Sequence, residues 1–126
     1  MKRREALDGA VVMELMPGYL RVFHSRSARD LAETELVLAA MDGAMRDWQQ
    51  DRLMFDSREA NDTLPEVGAR IWSWLQGHPD VVRVATLVES SELADRINMG
   101  EIGVDGVRIR AFHRERAAAR WLTILK

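Results

Sequence analysis

Residues 81–122 read VVRVATLVESSELADRINMGEIGVDGVRIRAFHRERAAARWL, an alternation of strand, helix, strand and helix with no catalytic motif inside it. The apolar run at 81–88 is bounded by His78-Pro79-Asp80 and by Ser90-Ser91. Apolar at nearly every position, it suits a strand buried on both faces of a parallel sheet. A helix is expected over about 91–98, where Leu93 and Ile97 sit one turn apart, and Gly100, Gly103 and Gly106 then break it. Asp105-Gly106 turns the chain into a strand at 107–112. There Val107, Ile109 and Ala111 alternate with Arg108, Arg110 and Phe112, a less buried pattern that belongs near a sheet edge. A last helix from Arg114 turns Ala118, Trp121, Leu122 and Leu125 inward.

Upstream, apolar-rich runs at 11–16 and 19–24 flank Pro17-Gly18 and predict a hairpin, with Pro setting φ and Gly accepting a positive φ. Ser27 can cap a helix with Asp30 at the third position. Leu31, Thr34, Leu38, Met41, Met45 and Trp48 then recur at steps of three and four. Arg52-Leu53-Met54-Phe55-Asp56 predicts a short strand, closed by a polar cluster from Ser57 to Asp62. Thr63 and Glu66 form a capping-box pair for a second helix carrying Leu64, Val67, Ile71 and Trp74 inward, and Gly77 with Pro79 stops it. The expected class is α/β, a single domain over 11–126 behind a tail at 1–10. Its order is ββαβαβαβα, a five-stranded mixed sheet with helices on both faces.

Composition excludes several function classes. The 126 residues, 47% hydrophobic and 30% charged, are those of an ordinary globule able to bury a core without staples. The formal net charge of −2 gives no electrostatic reason to expect nucleic-acid binding. With no cysteine there is no disulfide framework, thiolate nucleophile or Cys-based zinc site, and a reducing, cytoplasmic compartment is expected. Met1-Lys2-Arg3-Arg4 resembles the start of a signal peptide, but Glu5, Asp8 and Gly9 intervene before any long apolar run forms. No stretch of about 20 apolar residues exists to span a membrane.

Leu53-Met54-Phe55-Asp56, the run from Val82 to Val88, the run from Val107 to Phe112, and Ala117 to Leu122 with its closing Trp121-Leu122 together resemble the SpoIIAA-like domains of the STAS and CRAL-TRIO-like fold. The likeness runs from about Val11 onward and rests on core positions. It implies a small bacterial α/β domain that works by binding a partner protein or an apolar ligand. Anti-sigma-factor antagonists of the STAS type carry, in a strand-to-helix loop, an Asp-Ser pair followed by a phosphorylated serine and a glycine. Asp56 and Ser57 match the pair, but Arg58 and Glu59 stand in place of the serine and glycine, so no phospho-switch is expected at Ser57. Serine is favoured in such loops for local hydrogen bonding alone.

The carboxyl ends of the parallel strands, where open α/β sheets place ligands, gather Asp56, Ser57, Arg58, Glu89, Ser90, Ser91, His113, Arg114 and Glu115. No GxGxxG, GxxxxGK[ST] or GxSxG occurs. His24, His78 and His113 share no HxH or HxxxH spacing, so neither a metal nor another cofactor is expected. Trp72 lies about 100° around its helix from Ile71, so Trp72 and Trp74 cannot both point straight into one core. Trp72 either covers a neighbouring edge or anchors an interface. The leading expectation is a non-enzymatic domain acting by protein association, as a homodimer or with another partner. The candidate site is Asp56, Ser57, Arg58, Trp72 and His113. A carrier or sensor of a lipid or other apolar molecule, held between the sheet and its helices, is the alternative, and a small hydrolase using Ser57 or His113 is third.

Overall fold

Six strands form the sheet of the computed structural model, which describes residues 2–60, 63–101 and 108–124. β1 (Arg3–Ala6) runs antiparallel to β2 (Val11–Met16), with Arg3 opposite Glu14 and Ala6 opposite Val11. The sequence pattern assigns Arg3–Ala6 to a tail and counts five strands. Pairing with β2 makes these residues a sixth, because an edge strand is held by hydrogen bonds on one flank and needs no apolar alternation. A tight turn comes next at Leu7–Gly9, where φ is positive at all three residues. β3 (Tyr19–His24) returns antiparallel from β2 through Pro17-Gly18, and Gly18 takes φ of +90° as the predicted hairpin requires.

From β3 the sheet is parallel. α1 (Leu31–Trp48) leads to β4 (Arg52–Asp56), α2 (Pro65–Gln76) to β5 (Arg83–Leu87), and α3 (Ser91–Arg96) to β6 (Ile109–Phe112). α4 (Glu115–Thr123) closes the described chain. The observed order is therefore βββαβαβαβα, and the strands lie in the sheet in the order of the chain. That order decides where the helices go. Successive right-handed crossovers advancing in one direction put every crossover helix on the same face. Val22, Leu53 and Val84 accordingly pack with Leu38 and Met41 of α1 and Trp74 of α2. Val88 and Ala111 pack with Ala94 of α3. The other face is left to α4, whose Ala118 and Leu122 cover Met54, Ala85 and Leu87.

The apolar run at 81–88 is largely buried, as its two-sided pattern requires, with Val84 2% exposed in the core of the α1–α2 face. Val82 is exposed, and the strand proper is five residues long. β6 is an edge strand, while Gly103, the Asp105-Gly106 turn, Val107 and Leu125 lie outside the described residues.

Both predicted helix caps shift. Asp30 caps α1 by accepting from the Glu33 amide at 2.9 Å, while Ser27 spends its hydroxyl on the Ala60 carbonyl at 3.2 Å. Leu64 occupies the cap of α2 without a side-chain hydrogen bond, and Pro65 starts the helix, where its missing N–H costs nothing. Leu31 and Leu64 are correspondingly exposed rather than inward. The far end of α2 is clamped to α1. Asp42 accepts from Trp74 Nε1 at 3.1 Å and lies 2.9 Å from His78 Nε2, and the His78 ring stacks on Trp74.

Candidate functional site

Consecutive residues of a strand point to opposite faces, so the end of β4 divides the expected site in two. Asp56 turns toward the α4 face and is 1% exposed. It accepts from Arg58 at 2.9 and 2.7 Å and from Arg21 at 2.7 Å, and both guanidiniums reach Glu115 in the first turn of α4. Glu14 completes the group at 3.3 Å from Arg21. Burial alone would raise the Asp56 carboxyl. The hydrogen bonds from Arg58 and the charges of Arg58 and Arg21 outweigh burial and hold it below the usual carboxylate range. Every charge here has a partner inside the chain, so the cluster ties β3, β4 and α4 together and leaves no cation free for an anion.

Ser57 turns the other way, into the wall of a chamber between the sheet and helices α1 and α2. His24, Phe55 and Thr86 form its floor, from three adjacent parallel strands. Phe55 and Thr86 are register partners, and Val22, two residues before His24, is opposite Phe55, so all three side chains share the α1–α2 face. Leu38 and Met41 of α1 and Val67 and Ile71 of α2 form the roof, and small residues at Ser27, Ala28 and Ala60 leave the space open. The volume is about 180 Å³ and the lining is mainly apolar.

The His24 ring carries the one unmet polar demand. Its Nδ1 is buried with no hydrogen-bond partner, the only such side-chain nitrogen or oxygen among the described residues. Burial pulls the imidazole below its ordinary range, more strongly than the nearby Asp56 carboxylate and the Val22 carbonyl raise it. A neutral ring is the consequence.

Of the residues expected at the site, Asp56 and Arg58 meet in the ionic cluster and Ser57 lines the chamber. His113 belongs to neither; its Nδ1 faces the Val88 carbonyl at 3.4 Å. Trp72 is half-buried against the core beneath α2. Sequence reasoning missed His24 and Thr86 as lining residues. The available signal was a histidine and a threonine at inward positions of apolar strands. No group of three or more metal-ligating side chains is found among the described residues, and none of their helices is long and apolar enough to cross a membrane.

No family model and no curated protein matches the chain. Among solved structures it is similar to an uncharacterized protein from the DUF3478 family of Shewanella loihica PV-4, described as having a SpoIIAA-like fold. The TM-score is 0.65 at 15% identity, over 90% of this chain and 92% of that one. At that identity the likeness speaks to architecture alone, and together with the strand order and the placement of the helices it identifies the chain as a protein of SpoIIAA-like fold.

Proposed function

We propose that this protein is a binding module whose ligand is a small, largely apolar molecule held in the chamber between β3–β5 and helices α1 and α2. The observation that carries this is the chamber itself. The residues lining an unfilled apolar space lack packing partners on that side. A ligand restores those contacts. The volume favours a compact occupant over a long acyl chain, since an engineered cavity of about 150 Å³ takes benzene. Binding is the reading that a mainly apolar lining supports. Association through Trp72 draws no support from a ring packed against the core.

Xenon under pressure, or benzene followed by NMR, tests the assignment. Wild type should take up the probe inside the chamber, and Val67→Phe, which fills it from α2, should not. A folded wild type that admits neither probe overturns the proposal.

A further inference from the structure

The chamber reading leaves the chemistry of the ligand open, and the wall narrows it. Nearly all buried polar groups in proteins find a hydrogen-bond partner, and the chain supplies none for His24 Nδ1. The same ring lines the chamber, so an occupant lies beside it. Nδ1 is closed off where it stands, and because the χ2 torsion of histidine is broad, a turn of the ring brings it to a polar group on the occupant.

We propose that the ligand is a single-ring molecule of the phenol class, whose ring fills the chamber and whose hydroxyl hydrogen-bonds the His24 imidazole. A hydroxyl suits this histidine whichever nitrogen bears its proton, because it donates to a bare nitrogen and accepts from an N–H. A cation is a poor fit beside an apolar roof, and so is a carboxylate with no guanidinium to meet it. Arg21 and Arg58 are committed to Asp56 and Glu115 on the opposite face, and Arg26, next to the lining residue Ser27, is paired with Glu33. The size admits a ring body. One substituted ring is the scale of molecule that a chamber of about 180 Å³ can enclose.

This inference rests on the chamber being a ligand site, and the test separates the two. p-Cresol and p-xylene have nearly the same shape and differ in one hydroxyl. Calorimetric titration of both into wild type and His24→Phe gives the cresol-to-xylene affinity ratio in each protein. The ratio should fall about tenfold in His24→Phe, because the buried hydroxyl loses its partner, while xylene binding persists. Should the variant fail to fold, ¹⁵N spectra of the wild-type imidazole supply the second measurement: cresol should shift the His24 ring nitrogens and xylene should leave them in place. A ratio unchanged by the substitution, or equal nitrogen shifts with both probes, overturns the role of the hydroxyl and leaves the chamber reading standing. Failure of both probes to bind wild type overturns the chamber reading and this inference together.

Discussion

Asp56 shows how much one carboxylate can hold. It sits 1% exposed at the end of β4, between guanidiniums from β3 and from its own loop, with Glu115 of α4 behind them. Removing one member of such a group leaves buried charge uncompensated, so Asp56→Asn should cost about 3 kcal/mol in a urea titration. The sign of the shift sets the pH dependence. The folded carboxyl is held below its unfolded value, so its contribution is complete above the ordinary carboxylate range and fades as pH falls through and below that range. Stability of Asp56→Asn should therefore drop less steeply between about pH 5 and 2 than that of wild type. Val84 tests the core. It is 2% exposed on the α1–α2 face, and Val84→Asp should cost about 4 kcal/mol by burying an unpaired charge. Wild-type stability in a urea titration would remove β5 from the interior of the sheet.

At the scale of elements, the free edge of β6 has an internal partner. Just past α3 the helix loosens into a π turn at Ile97–Glu101, and this presents the Asn98 amide to the strand. Asn98 Nδ2 donates to the Ala111 carbonyl, and Asn98 Oδ1 accepts from the Ala111 amide, both at 2.8 Å. The side chain thus imitates one peptide unit of a neighbouring strand and blunts the edge at that residue. Asn98→Ala should cost about 1–2 kcal/mol, and in hydrogen exchange the Ala111 amide should lose protection well before those of β4. Unchanged protection at Ala111 would show that the amide pair is not what shields the edge. Elements of this kind divide by how they announce themselves. β5 was legible because burial on both faces leaves a continuous apolar run, and the β2–β3 hairpin because Pro17-Gly18 has few other uses. β1 was not legible: Arg-Arg-Glu-Ala becomes a strand only because β2 offers an unpaired flank. The cap of α1 moved from Ser27 to Asp30 because both residue types suit the role, and tertiary contacts with Ala60 and Thr63 engage Ser27 elsewhere.

For the whole molecule, β1 is both edge cover and tether. Arg4 reaches Asp47 at 2.6 Å and lies over the Trp48 ring, fastening the sheet margin to the last turns of α1. A chain shortened to begin at Leu7 should melt at lower temperature. It should also associate in sedimentation equilibrium through the bared flank of β2, whereas the full-length chain should not associate by that route. A monomeric shortened chain would assign β1 no protective part. The chamber belongs to this scale too, which is why the sequence hid it. Its floor comes from three strands and its roof from two helices, and a space left among residues far apart in the chain has no local pattern. Asp56, Ser57 and Arg58, at the end of β4, could be anticipated from position, while the other lining residues of the chamber could not. The strand order has a further consequence for synthesis. Each strand finds its partner among segments already made, so the sheet can assemble in the direction of translation with short loops to close. One side of it stays bare longer than the other, because its cover, Ala118 and Leu122 of α4, follows all six strands in the chain. A chain in which α4 has not docked leaves Met54, Ala85 and Leu87 open to whatever hydrophobic surface is nearby. Until α4 docks, the sheet offers an apolar face that a chaperone can take.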